Sequence, residues 1–93
     1  MKRQLLRTPA FLRATKKLLK RNPQLNRVFE DTVRLLREDA FDSRLKTHKL
    51  TGELSHYFSC SAGYDLRIIF SIVPYQNSEA VLLDNIGTHD EVY

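Results

Sequence analysis

Only one cysteine, Cys60, stands in the 93 residues. A lone thiol closes no internal disulfide, and no second cysteine or closely spaced histidine pair accompanies it to hold a metal. No apolar run approaches the roughly 18 residues that a membrane span needs. The opening MKRQLLRTPAF has no long apolar stretch of the signal-peptide kind. There is no internal repeat and no low-complexity tract. These absences predict a reduced, metal-free, cytoplasmic chain, with room for a single domain over 1–93. Basic residues are also scarce in one half. Of 15 Lys and Arg, only Arg67 lies beyond position 49, among six acids, while the first 49 residues hold fourteen bases against five acids. That asymmetry implies a polyanion-facing surface in the first half or, more plainly, helices with solvated outer faces.

Two helices are predicted in that half. TPAFLRATKKLLKR opens with Thr8 as N-cap and Pro9 at the first helical position. Phe11, Ala14, Leu18 and Leu19 share one face, and Arg13, Lys16, Lys17 and Lys20 fall largely on the others. NPQLNRVFEDTVRLLRED repeats the pattern, with Asn22 as cap and Leu25, Val28, Phe29, Thr32, Val33 and Leu36 as the inward stripe. A linker of about two residues makes the pair an antiparallel helical hairpin. Residues 3–7 read as a short strand before it. LSHYFSC, YDLRIIFSIV and EAVLLDNI then read as strands, broken at Ala62-Gly63 and at Pro74, Gln76 and Asn77. Their close spacing favours an antiparallel meander. Leu66, Ile68, Phe70 and Ile72 are assigned to the helix side of the middle strand, and Arg67, Ile69, Ser71 and Val73 to the other. The expected fold is α+β, in the order β-α-α-β-β-β, a helical hairpin packed on an antiparallel sheet. Cys60 is expected in the core.

FDSRLKTHKLTGELS, between helices and meander, has no clean period. It places Arg44, Lys46, His48 and Lys49 around Gly52, a basic loop suited to phosphate. Further on, the chain closes on NIGTHDEVY, with a glycine, a histidine, two acids and a tyrosine in its last seven residues.

The element order, together with THKLTGEL, GYDLRIIF and IGTHDEVY, resembles the RelE/ParE toxin superfamily, and most of all its RelE/StbE and YafQ-like branch. The resemblance covers essentially the whole chain. H-x-L-x-G, Y-D-x-R-I-I-[FY] and G-T-H-x-x-x-[YF] follow one another over about 46 residues. It implies a small basic toxin of a type II toxin–antitoxin module. Such a toxin enters the ribosomal A site, cuts the mRNA held there, and is kept inactive by a cognate antitoxin. Operator DNA would be reached only through that antitoxin, in a heterodimer or heterotetramer, and no membrane is involved. The implied reaction uses no metal or other cofactor. The ribose 2′-OH attacks the adjacent phosphate, leaving a 2′,3′-cyclic phosphate and a 5′-OH.

That chemistry asks for a base, an acid and a cation at the phosphorus. Histidine titrates near neutrality, and arginine offers a planar, permanently charged fork. The resemblance assigns proton transfer to His48 and His89. It makes Asp65 a catalytic carboxylate that acts as base or orients a histidine, and Arg67 the strand arginine on the phosphate. Tyr93 becomes the terminal aromatic that stacks on a base or reaches the phosphate. Asp65 and Arg67, two apart on one strand, are expected on the same face. A structural ion pair between them is the plainer alternative. Arg44, Lys46, Lys49, Arg13, Lys16, Lys17 and Lys20 are expected to meet RNA phosphates.

The chain departs from the branch at three positions. Ser61 stands for a histidine, Leu66 for an aromatic and Asn85 for an arginine near the end of the last strand. Arg67 is a candidate to replace that missing arginine from the neighbouring strand. Two other functions fit the same fold: a ParE-like poison of DNA gyrase that cuts nothing, and a degenerate toxin that only binds its antitoxin.

Overall fold

Thr8 starts the first helix as its side chain predicts. In the computed structural model, which describes residues 2–93, its hydroxyl accepts from the Phe11 N–H at 3.0 Å and Pro9 occupies the first turn. Helix α1 spans Pro9–Arg21 and α2 spans Asn26–Glu38. The strands are β1 (Gln4–Arg7), β2 (His48–Lys49), β3 (Phe58–Ala62), β4 (Leu66–Tyr75) and β5 (Ser78–Thr88), and a four-residue helix α3 (His89–Val92) ends the chain. They form one five-stranded sheet in the order β1-β5-β4-β3-β2. The fold is α+β, two helices packed on one sheet, as expected.

The sheet is mixed rather than antiparallel, because β1 runs parallel to β5, with Gln4 opposite Ala80 and Arg7 opposite Leu83. The helical hairpin carries the chain across one face of the sheet. Phe11, Leu36, Ile68, Phe70, Val81 and Leu83 are fully buried between the layers, each contributing about 1.5–3 kcal/mol by leaving water. Leu66, Ile68, Phe70 and Ile72 face the helices as predicted, and Cys60 is buried with them. Burial pushes its thiol up to about 12.

Four local expectations need correction. Asn22 does not cap α2. A 3-10 turn over Pro23–Leu25 intervenes, and Asn22 caps the C-terminus of α1, its side chain donating to the Leu18 carbonyl at 3.1 Å. The segment before the meander is not all loop, since His48 and Lys49 form the edge strand β2. Strand β3 begins at Phe58 rather than at Leu54, which ends a 3-10 turn over Gly52–Leu54. Finally, Pro74 does not break β4 but pairs with Glu79. Strand β3 covers β4 only up to Phe70, so the far half of β4 has a free edge that tolerates proline. The hairpin turns instead at Gln76 and Asn77, both left-handed at φ 47° and 62°, the backbone that a tight two-residue turn requires.

Strand β5 contains a bulge. Ile69 pairs with Asn85 while the next residue, Phe70, pairs with Leu83, so Asp84 is the extra residue. Among the described residues, no helix is long and apolar enough to cross a membrane.

Candidate active site

Ser59 lies on the outer sheet face, the one turned away from the helices. It is fully buried in β3, opposite His48 of β2 on one side and Ile69 of β4 on the other. Ladder partners leave a sheet on the same face, so His48, Ser59, Ile69 and Asn85 form one row across it. The next row holds Ser61, Arg67 and Gly87. A serine inside an apolar strand must find a partner for its hydroxyl. Here the partner is the Tyr93 hydroxyl, at the far end of the chain.

The tail reaches Ser59 because α3 folds back over the end of the sheet. Thr88 caps α3 reciprocally: its hydroxyl accepts from the Glu91 N–H at 3.3 Å, and its own N–H donates to Glu91 Oε1 at 2.8 Å, a capping box. The Thr88 N–H, followed by the Thr88 side chain, holds the Glu91 carboxyl below the usual range, with Lys17 and Arg21 adding to the effect. Gly87 remains in β5, opposite Arg67. Its lack of a side chain serves α3. A Cβ there would stand 3.1 Å from the Glu91 Cβ and 3.2 Å from Val92 Cγ1. The His89 and Tyr93 rings meet edge-on, with centroids 4.5 Å apart. His89 stays more than half exposed, its Nδ1 3.6 Å from Asp90 Oδ1. His48 is also exposed, its Nδ1 3.3 Å from the Lys46 carbonyl.

His48, Arg67, His89 and Tyr93 are therefore gathered at one end of the outer face. Asp65 is placed differently from the expectation. It lies in the turn before β4, exposed, and not on the strand beside Arg67. Gly63, left-handed at φ 74°, extends that turn through Asp65. No ion pair joins Asp65 to Arg67 among the described residues. Arg67 Nη1 instead donates to the Leu66 carbonyl at 3.0 Å and the Tyr64 carbonyl at 3.4 Å. Asp65 touches the tail through its backbone, its carbonyl accepting from the His89 N–H at 3.2 Å.

The basic residues divide. Arg44 is held by Asp42, with Nε to Oδ1 at 3.0 Å and Nη2 to Oδ2 at 2.9 Å, which draws the Asp42 carboxyl down to about 2. The pair engages the Arg44 guanidinium fork while the side chain stays exposed. Lys49 pairs with Phe58, which stacks on Phe70 in the core layer, so it leaves the sheet on the face opposite to His48. Lys46 is exposed, with a left-handed backbone. On α1, Arg13, Lys16, Lys17 and Lys20 are all exposed. Lys17 and Arg21 line a cleft of about 260 Å³ together with Gly87, Thr88 and Glu91, so the basic end of α1 abuts the tail.

Ser59 escapes a reading of the sequence, because SHYFSC does not show that one of its serines will meet the last residue. The bulge that sets Asp84 beside Asn85 is equally hidden. Among the described residues, no three His, Cys, Asp or Glu side chains cluster closely enough to hold a metal ion.

Residues 3–93 match the family model described as the bacterial toxin of type II toxin–antitoxin systems, YafQ. Several solved structures share the fold, and three of them illustrate it. YafQ from E. coli strain BL21(DE3) aligns with a TM-score of 0.79 at 17% identity, over 98% of both chains. The E. coli DinJ–YafQ toxin–antitoxin complex gives 0.77 at 18% identity, over 100% of this chain and 99% of that one. A YoeB/ParE toxin from Agrobacterium tumefaciens gives 0.76 at 14% identity, over 92% of this chain and 98% of that one. No curated protein matched. At such identities the structures speak for the fold alone, whereas the family match runs nearly end to end, and by it this chain belongs to the YafQ family of bacterial type II toxin–antitoxin toxins.

Proposed function

We propose that this toxin is a ribosome-dependent endoribonuclease that cuts mRNA in the ribosomal A site and so arrests translation. The observation that carries this reading is the gathering of two exposed histidines, an arginine and a tyrosine around Ser59 on one solvent-facing surface. A protein that acts by binding alone has no use for that acid–base set. His48 and His89 share the two proton transfers, one taking the 2′-OH proton and the other protonating the departing 5′-oxygen. Arg67 stabilises charge on the pentacoordinate phosphorus. Asp65 contributes as a positioning residue, since its carbonyl holds the His89 N–H. Tyr93 places its ring against the RNA and locks the tail to Ser59. Exposed Arg13, Lys16, Lys17 and Lys20 meet rRNA phosphates, so ribosome affinity falls as salt rises.

The partner is a cognate antitoxin, by analogy with the YafQ solved in complex with DinJ. A groove of about 910 Å³ between β1 and α2 suits it. Leu5, Phe29 and Val33 lie in the groove, and Arg3, Arg34 and Arg37 are among the cations lining it. Its occupant is an acidic, partly apolar segment of the antitoxin, drawn by the opposite charge.

The test is to express the toxin alone and map mRNA 5′ ends on translating ribosomes. Cuts within A-site codons are expected. They should fall by about 10²–10⁴-fold in His89→Ala and His48→Ala, as loss of a general acid or base predicts. Supercoiling defects with intact mRNA would replace this reading with gyrase poisoning.

A further inference from the structure

Beside the histidines, the outer face holds a second feature that the cleavage chemistry leaves unused. A cleft of about 200 Å³ lies between the β2–β3 connection and α3. Leu50, Leu54 and Tyr57 line it from the connection, Ile69 from β4 and Val92 from α3. This volume lies below the roughly 300–1,000 Å³ of pockets for drug-sized ligands, so it suits one planar base rather than a larger ligand. Two polar side chains, Asp84 and Asn85, also line it. They are adjacent in sequence, yet both belong to this face because Asp84 is the bulge residue of β5.

Their free hydrogen-bonding capacity is specific. Asp84 is part-buried and enters no ion pair among the described residues, although the protein carries a formal charge of +4. One carboxylate oxygen accepts from the Ser71 hydroxyl at 3.3 Å, which leaves acceptor sites on both oxygens. Burial holds its carboxyl above the usual range, and the Ser71 bond partly offsets this. Asn85 Oδ1 accepts from the Ile86 N–H at 2.9 Å, which leaves its Nδ2 group as donor. The cleft thus offers a two-oxygen acceptor beside a donor, over apolar walls. Among nucleobases, guanine alone presents two adjacent donors, N1–H and N2–H, next to an acceptor, O6. Adenine and cytosine present one donor group on that edge, and uracil presents one donor between two acceptors.

Resting on the RNA-cleaving reading above, we propose that this cleft is a base-specificity pocket that takes one guanine of the RNA, with Asp84 accepting from N1–H and N2–H and Asn85 donating from Nδ2 to O6. Ile69 ties the pocket to the reacting groups, since it is the ladder partner of Ser59 in the row that also holds His48 and Asn85. The base is read one strand away from the histidines, and the aliphatic side chains and Tyr57 exclude water from its faces.

The experiment is an NMR titration of the full chain with each of the four nucleoside 5′-monophosphates, with inorganic phosphate as control. The methyl signals of Leu50, Leu54, Ile69 and Val92 are the readout. Guanosine monophosphate should move them and bind at least about tenfold more tightly than the other three, in line with a bidentate contact. Phosphate should leave them in place. Asp84→Asn should abolish the preference. Inosine monophosphate, which lacks only the N2 amine, should bind the unaltered protein more weakly than guanosine monophosphate, a comparison that needs no variant to fold. Equal binding of all four nucleotides, silent methyls, or a preference that survives Asp84→Asn would overturn the pocket. The titration contains no ribosome and no cleavage, so failure here leaves the nuclease reading standing. An empty 5′-end map beside a successful titration would remove the nuclease and leave the guanine site.

Discussion

The Tyr93 hydroxyl hydrogen-bonds the Ser59 hydroxyl, joining the last residue of the chain to a fully buried position in β3. Chain ends ordinarily fray. This one is fastened at three points: the capping box at Thr88, the Asp65 carbonyl on the His89 N–H, and Ser59. Removing His89 to Tyr93 should therefore abolish toxicity while leaving the fold and antitoxin binding largely intact. Tyr93→Phe keeps the ring but leaves the buried Ser59 hydroxyl without this partner, and should cost about 1–3 kcal/mol in a denaturant melt. Growth arrest on induction, read beside the denaturant melt, checks both. A truncated chain that remains fully toxic would reduce the tail to a fringe.

Gly87→Ala should loosen the same tail from beneath. The new methyl meets the Glu91 Cβ and Val92 Cγ1 inside normal contact distance, so α3 must give by a few tenths of an ångström. Since α3 is only four residues long, it should shift rather than the sheet. Faster hydrogen exchange at Glu91 and Tyr93, with unchanged exchange in β4, is the expected signature.

Reversing Arg34 and Arg37 to glutamate should weaken antitoxin binding by about tenfold or more, mainly through a slower on-rate. Cleavage by the free toxin should be unaffected, because these residues line the groove between β1 and α2 and none of the reacting groups does. Surface plasmon resonance at two salt concentrations separates the charge effect from a folding defect.

Acid should undo the Asp42–Arg44 link in a defined window. The Asp42 carboxyl, ordinarily near 3.8, is drawn down to about 2 in the fold, chiefly by the Arg44 side chain. A depressed carboxyl contributes stability above its unfolded pKa and loses it as pH falls through the folded one. The stability difference between the native chain and Asp42→Asn should be present at about pH 5 and vanish as pH approaches about 2. Both groups lie at the surface, where solvent screening keeps the difference small. Urea melts across that range measure it.

Cys60 should resist alkylation. Its thiol is fully buried and raised to about 12, so almost no thiolate exists at about pH 8. Iodoacetamide should label it only when denaturant opens the core, and the labelling rate then reports opening between β3 and the helices.

The sequence carried the layers but not the joints. Phe11 and Pro9 announce α1, and the alternation from Leu66 to Ile72 announces which face of β4 meets the helices, because each pattern reflects burial along a continuous element. Asn22 misleads because a polar residue before proline signals a helix start, yet in so short a linker the same side chain caps the helix that is ending. His48 and Lys49 form too short a strand to show a period. Asp65 reads as strand because YDLRIIF looks continuous, while the left-handed Gly63 extends the turn beyond Tyr64. For the site, His48, Arg67, His89 and Tyr93 are legible as chemistry. Their meeting point, Ser59, is not, because it depends on the register of β3 against two neighbours and on where α3 lands. The Asp84 bulge is lost in AVLLDNI for the same reason: an extra residue in one strand is defined only by its partner.

The parallel pairing of β1 with β5 also orders events in time. Residues 4–7 are made well before their partners at 80–83. Contacts so far apart in sequence slow folding. At roughly 5–20 residues per second, β1 waits seconds for its partner while the helices are already outside the ribosome, and the tail that carries His89 and Tyr93 emerges later still. An antitoxin with access to the early groove residues therefore has those seconds in which to bind.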